Sequence, residues 1–162
     1  MKKIIIDLPE IKLVGITAKT NNNDEMDPAK AKIGATLQQY FGQHLAAKIK
    51  NKKNSGTVFC VYTWYESDST GNYTYFVGEE VNSFEEIPED FAEITIPYQN
   101  YVKFTNNPGQ MPLVCIDMWQ NIWKMEDEDL GGKRSYVADF EIYDQRSLDP
   151  QNTVLDIYIG IR

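Results

Sequence analysis

Acidic and aromatic side chains alternate with apolar ones on the last two predicted strands, and their chemistry could bind a small molecule or accept a proton from it. These strands span residues 135–144 and 154–161. With a period of two, Glu141 and Tyr143 share one face of the first strand, and Asp156 and Tyr158 share one face of the second. The alternate positions are apolar and are expected to meet a core. We therefore predict that the four residues share the opposite face, as a solvated surface or as the floor of a pocket.

Composition argues against nucleic acid, metal and cofactor chemistry. The chain of 162 residues carries a formal net charge of −8, which repels phosphate backbones, so no direct nucleic-acid partner is expected. His44 is the single histidine, and Cys60 and Cys115 form no CxxC motif. Such a set does not make a zinc site, and we expect neither a metal nor a cofactor.

The apolar segments are short. None approaches the ~20 residues needed to cross a bilayer, so no membrane association is expected. The basic opening is followed by an apolar stretch far shorter than the ~7–15 residues of a secretory signal. The sequence therefore predicts a cytoplasmic protein.

The order strand, helix, hairpin occurs twice along the chain. The first copy comprises a strand at 11–20, a helix at 28–50 and strands at 57–65 and 72–81; the second comprises a strand at 91–105, interrupted near Pro97, a helix at 112–125 and the two strands described first. We predict an α+β fold in which a duplicated β-α-β-β unit has pseudo-twofold symmetry, antiparallel sheets and two main helices. Residues 1–162 would form a single domain with half-repeats of about 1–82 and 90–162.

The duplication predicts a ligand cleft between the halves. Aligning the two hairpins places Tyr62 on Tyr143, so that matching faces meet across the pseudo-twofold axis. Trp119 is the candidate from the second helix for a cleft wall. An apolar, aromatic and sparsely polar lining is typical of small-molecule pockets. The predicted cleft face consists of Tyr62, Trp64, Phe76, Tyr143 and Tyr158, with Glu141 and Asp156 as its acidic groups.

Several motifs resemble one family. The strand Phe140-Glu141-Ile142-Tyr143 matches a Phe-Glu-x-Tyr strand, segments 96–101 and 155–161 match two further strands, and Trp119 and Trp123 match aromatic helix positions. On these residues the chain resembles the GyrI-like small-molecule-binding domains, which are also the effector-binding domains of AraC-type and MerR-type multidrug regulators.

The resemblance implies a ligand cleft between two β-α-β-β halves, in which Glu141 is a buried carboxylate that meets cationic, lipophilic ligands. The chain departs from the family pattern with Asp156 in place of a frequent Glu, with Gly160 in place of a frequent Pro, and in lacking a proline shortly before Phe140. No helix-turn-helix precedes the domain, so a stand-alone effector binder that senses or sequesters drugs is expected.

Two other functions remain open from the sequence. Some GyrI-like relatives are hydrolases, and Glu141 could act as general base with Tyr143 or Tyr62 assisting. No Ser-His or Cys-His arrangement accompanies them, and we expect a binder rather than an enzyme. A gyrase-inhibitor-like protein-interaction module is the other alternative, with an unidentified protein partner.

Overall fold

The computed structural model describes residues 1–162, which form eight strands and four helices. The strands are β1 (Lys2–Leu8), β2 (Ile11–Thr20), β3 (Val58–Thr63), β4 (Tyr73–Glu80), β5 (Ala92–Ile96), β6 (Gln99–Thr105), β7 (Ala138–Tyr143) and β8 (Asp156–Ile161). The helices are α1 (Asn22–Glu25), α2 (Ile33–Gly42), α3 (Leu113–Trp123) and α4 (Asp127–Leu130).

All strands belong to one antiparallel sheet with the order β1-β6-β8-β7-β3-β4-β2-β5. The halves meet at the central pair of β3 and β7, where Val61 lies opposite Phe140. Outward from this pair, β7, β8 and β6 repeat the order of β3, β4 and β2, and α3 corresponds to α2. The predicted α+β fold with a duplicated β-α-β-β unit is confirmed.

The sequence did not reveal the strand β1, through which the two halves exchange strands. β1 pairs with β6 of the second half, while β5 pairs with β2 of the first. Leu8 lies opposite Gln99, and Ile11 lies opposite Ile96. Two residues separate Leu8 from Ile11, and two separate Ile96 from Gln99, so the second pairing continues the register of the first. The β1–β2 and β5–β6 segments are therefore two long antiparallel strands, each interrupted at a proline, Pro9 and Pro97.

Both faces of the sheet are buried, and this corrects one prediction. Phe140 pairs with Tyr158, and Glu141 pairs with Ile157, so Glu141 shares a face with Ile157 and not with Asp156 or Tyr158. The face that carries Phe140 and Tyr158 lines a core formed by the sheet alone, and the other face lies under the helices. Because each face meets a core, the apolar residues of neighbouring strands need not lie on the same side.

Helix α2 is shorter than the predicted helix at 28–50. It begins at Ile33, and the Glu25 carboxylate of α1 accepts hydrogen bonds from the Lys32 and Ile33 amides at 2.8 and 3.1 Å. It ends at Gly42, a poor helix former, and His44 then adopts a left-handed φ of 51°. The residues Leu45–Lys48 continue as a short 3₁₀ turn.

Candidate functional site

A cavity of about 350 Å³ lies between α2 and α3, above the central strands of the helix-covered face. Its volume falls within the roughly 300–1,000 Å³ of small-molecule pockets. Both halves contribute to its walls, so it occupies the predicted cleft. The aromatic lining residues are Tyr62, Tyr65, Tyr73, Tyr75, Trp119, Trp123 and Tyr143.

The strand and helix periods bring the polar lining residues together. Glu141 and Tyr143 are two residues apart on β7 and therefore point to the same face of the sheet. Cys115 and Trp119 are four residues apart on α3 and therefore lie on one face of that helix. Trp119 also packs edge-on against Tyr62 of β3, with ring centroids 5.3 Å apart.

Glu141 lies in the floor of the cavity and is only 5% exposed. Its Oε2 accepts hydrogen bonds from the Tyr62 hydroxyl at 2.8 Å and from Trp119 Nε1 at 2.9 Å, and its Oε1 accepts one from the Tyr143 hydroxyl. All three donors are neutral, and none of the ion pairs in the structure includes Glu141. A carboxylate in such a place has hydrogen-bond partners but no positive charge to balance it.

Asp139 provides a contrast on the same face of β7. It is fully buried and pairs with Arg134 Nη2 at 2.5 Å. It also accepts hydrogen bonds from the Tyr65 hydroxyl at 2.6 Å and from the Gly160 amide at 2.9 Å. The protein thus supplies a counterion for Asp139 and none for Glu141, two residues away.

The phenols and the thiol around Glu141 hold their protons strongly. Burial, and then the negative charge of Glu141, raise the pKa of Tyr62 and of Tyr143 well above the usual 10.0. The same two causes raise the pKa of Cys115 above the usual 9.0. These groups are therefore neutral hydrogen-bond donors near pH 7, and the raised pKa of Cys115 makes it a weak nucleophile.

Four of the residues predicted for the cleft line the cavity: Tyr62, Trp119, Glu141 and Tyr143. They come from β3, α3 and β7, and Tyr62, Trp119 and Tyr143 converge on the Glu141 carboxylate.

The other four predicted residues lie elsewhere. Phe76 and Tyr158 are buried in the core on the opposite face of the sheet. Asp156, on that same face, pairs with Arg146 at 2.7 Å. Trp64 follows the end of β3, where its φ of 48° breaks the alternation, and it is 58% exposed. The prediction chose the wrong face of β4 and β8, since the residues one position away are the ones that lie on the helix-covered face. The alternation of side chains does not show which of two buried faces lies under the helices.

Several cavity residues were missed by the sequence analysis. Tyr73 and Tyr75 of β4 point to the opposite face of the sheet from the predicted Phe76, and Tyr75 lies directly opposite Tyr62 on β3. This pairing was the signal that could have found them, since cross-strand partners point to the same face. Arg134 also lines the cavity, but it lies outside the strands and no periodicity predicted its position.

Two features of the structure bear on metals and membranes. No group of three or more His, Cys, Asp and Glu side chains is arranged to hold a metal ion. None of the helices is long and apolar enough to cross a bilayer.

Residues 4–161 match the family model of integron-associated effector-binding proteins, Cass2. The chain belongs to this family. The family binds small-molecule effectors, and its relatives include transcription regulators. The match covers both halves of the sheet and every residue that lines the cavity. The predicted resemblance to effector-binding domains is therefore confirmed.

Three relatives show how far the similarity extends. The candidate transcriptional regulator YobU of Bacillus subtilis strain 168 is 27% identical over 151 residues, which are 93% of this chain and 92% of YobU. The integron cassette protein VCH_CASS2, from the mobile metagenome of Vibrio cholerae, is 28% identical with a TM-score of 0.76, over 99% of this chain and 95% of that one. SAV2435, whose structure was solved bound to tetraphenylphosphonium, has a TM-score of 0.80 at 17% identity, over 100% of this chain and 94% of that one. The last similarity shows the fold alone.

Proposed function

We propose that this protein binds small lipophilic cations in the cavity between α2 and α3, with Glu141 as their charge partner. One observation carries the proposal: Glu141 is buried and hydrogen-bonded, yet pairs with no cationic side chain. A buried charge without a counterion is costly. A bound cation would supply the missing charge.

The aromatic walls favour the same class of ligand. Ring faces attract a cation by roughly 0.5–2 kcal/mol each, and the attraction is larger where water is excluded. Trp119 and Trp123 lie side by side in the wall, with ring centroids 6.2 Å apart, and Trp123 is largely exposed at the cavity surface. Flat aromatic groups of a ligand can pack against these rings, while Glu141 selects against anions.

The comparison with SAV2435 supports this choice of ligand. A protein of the same fold has been solved with tetraphenylphosphonium, which is a lipophilic aromatic cation. YobU, which is similar along nearly its whole length, is a candidate transcriptional regulator, and this favours a role in effector sensing or drug sequestration. Catalysis has less support, because the phenols beside Glu141 hold their protons strongly.

The experiment is a titration of tetraphenylphosphonium into the protein, followed by tryptophan fluorescence and calorimetry. We expect micromolar binding to the wild type and at least tenfold weaker binding to Glu141→Gln, which corresponds to about 1.4 kcal/mol. The amide keeps the shape of the side chain and removes its charge, so the loss would report the charge itself.

Asp117→Asn is the matched control. Asp117 is an exposed residue of α3 that does not line the cavity, and its substitution removes one negative charge from the same helix that forms the wall. We expect its affinity to equal that of the wild type. Equal binding by folded Glu141→Gln would remove Glu141 from the site.

A further inference from the structure

The Glu141 carboxylate has little hydrogen-bonding capacity left for a ligand. Its Oε2 accepts from both Tyr62 and Trp119, and its Oε1 accepts from Tyr143. An ionised carboxylate has about four acceptor positions, and the protein fills three of them on Glu141. About one position, on Oε1, remains for a donor of the ligand.

Glu25 is the other carboxylate that lines the cavity, and it is used in the same way. Its Oε2 accepts hydrogen bonds from the Thr20 hydroxyl at 2.6 Å and from the Lys32 amide at 2.8 Å. Its Oε1 accepts one from the Ile33 amide at 3.1 Å. Neither carboxylate of the cavity is therefore a free acceptor.

The remaining oxygens of the walls are neutral. The amide oxygen of Asn22 accepts a hydrogen bond from the Tyr73 hydroxyl at 3.1 Å. The Tyr62 and Tyr143 hydroxyls donate their protons to Glu141, and the Tyr65 hydroxyl donates its proton to Asp139. Neutral phenol oxygens accept more weakly than a carboxylate does. The cavity therefore offers negative charge but few strong acceptors.

This combination treats two kinds of cation differently. A primary ammonium ion is strongly hydrated, and it loses the water bonds of three N–H donors when it enters a closed site. A quaternary ammonium or phosphonium ion has no N–H group, and Glu141 can balance its charge without accepting another hydrogen bond. Each N–H that finds no acceptor should weaken binding by about tenfold.

We infer that the site selects cations that carry no N–H group and discriminates against protonated amines, because Tyr62, Trp119 and Tyr143 occupy the acceptor positions of Glu141. This inference rests on the proposed function. It assigns the three donors a role in specificity and names quaternary onium ions as the ligand class.

The test compares two probes that differ only at nitrogen, 2-naphthylmethyl-trimethylammonium and 2-naphthylmethylammonium. Both are cations at pH 7, and calorimetry gives the affinity of each. The selectivity ratio is the affinity of the trimethyl probe divided by that of the primary probe, and we expect at least about a hundredfold for the wild type. The methyl groups also add apolar area, so the decisive result is the change of this ratio in a variant.

Tyr143→Phe keeps the ring and removes the donor to Oε1 of Glu141. A second acceptor position on Oε1 then becomes free for an ammonium N–H, while any general gain in charge attraction is shared by both probes. We expect the selectivity ratio to fall by about tenfold. If this variant does not fold, Tyr62→Phe frees a position on Oε2 and should lower the ratio in the same way.

Tyr98→Phe is the matched control. The Tyr98 hydroxyl also donates to a carboxylate, that of Asp7 at 2.7 Å, but this pair is exposed and lies outside the cavity. The substitution removes the same hydroxyl group and frees an acceptor that the ligand does not meet. We expect the selectivity ratio of the wild type.

The outcomes separate this inference from the proposed function. If the trimethyl probe binds and Glu141→Gln weakens it, but Tyr143→Phe keeps the wild-type ratio, the cation site stands and the role of the three donors is overturned. A ratio near one in the wild type also overturns that role. If neither probe nor tetraphenylphosphonium binds, the proposed function fails, and this inference fails with it.

Discussion

Two carboxylates of β7 share one face of the strand and have opposite surroundings. Asp139 is balanced by Arg134, whereas Glu141 contacts only the neutral donors of Tyr62, Trp119 and Tyr143. A paired buried charge is a structural element, and breaking such a pair is costly. An unpaired buried charge lowers stability until a ligand arrives. Removing the negative charge should therefore change the free energy of unfolding in opposite directions at the two residues.

We expect Glu141→Gln to raise the free energy of unfolding of the ligand-free protein by about 1 kcal/mol. The amide oxygen can still accept from Tyr62 and Trp119, and the Tyr143 hydroxyl can turn to accept from the amide nitrogen. Asp139→Asn leaves Arg134 unbalanced and should lower the free energy of unfolding by about 3–5 kcal/mol. Urea denaturation of both variants measures the two effects. A loss of stability in Glu141→Gln as large as that in Asp139→Asn would contradict this view of Glu141.

At the scale of elements, the position of the site depends on how β2 and β4 pack against each other. Gly15 and Gly78 lie directly opposite on these strands, and the Phe76 ring covers both. A Cβ on Gly15 would meet the backbone oxygen of Val77 at 2.1 Å and the ring of Phe76 at 2.8 Å. The pair of glycines thus makes room for Phe76 on the face away from the helices. Phe76 is for this reason a core residue and not a cavity residue.

We expect Gly15→Ala to lower the free energy of unfolding by at least about 2 kcal/mol, because the methyl group overlaps backbone atoms that cannot move independently. Gly34→Ala is the matched control: no atom lies within 4 Å of the added methyl group on α2, so helix propensity should raise stability by up to about 1 kcal/mol. Thermal unfolding followed by circular dichroism compares the two. Equal stability of the Gly15→Ala variant and the wild type would show that β2 and β4 are not in this register.

At the scale of elements, the sequence predicted the features that depend on residues close together in the chain and missed those that depend on distant residues. The repeated strand, helix and hairpin were predicted because alternation and turn residues are local patterns. The exchange of β1 and β5 was missed because it depends on pairing between residues such as Leu8 and Gln99, far apart in the chain. The start of α2 was misplaced because its first amides are bonded by Glu25 of another helix.

The candidate site was predicted only in part, because the sequence shows which residues share a face of a strand but not which face lies under the helices. Tyr62, Glu141 and Tyr143 were found because the two halves are aligned and their hairpins share a period of two. Asp156 and Tyr158 were placed on the wrong face, since a sheet buried on both sides gives no polar face that marks the solvent. The contribution of Arg134 needs the full three-dimensional structure.

At the scale of the whole molecule, the net charge of −8 attracts any cation, and this general attraction must be separated from the site. Surface charges are screened over about 8 Å at physiological salt, whereas a buried carboxylate is screened much less. Glu141→Gln changes the net charge only from −8 to −7. A selectivity for cations that persists in salt and disappears in this variant therefore comes from Glu141.

The most direct measurement uses tetraphenylphosphonium and tetraphenylborate, which have nearly the same shape and opposite charge. Calorimetry at physiological ionic strength should give at least about a hundredfold tighter binding of the cation to the wild type, because a like charge beside Glu141 costs several kcal/mol. In Glu141→Gln the two ions should bind with affinities within about tenfold of each other. Equal binding of the two ions by the wild type, or a cation preference unchanged in Glu141→Gln, would contradict the central claim that this carboxylate selects the ligand.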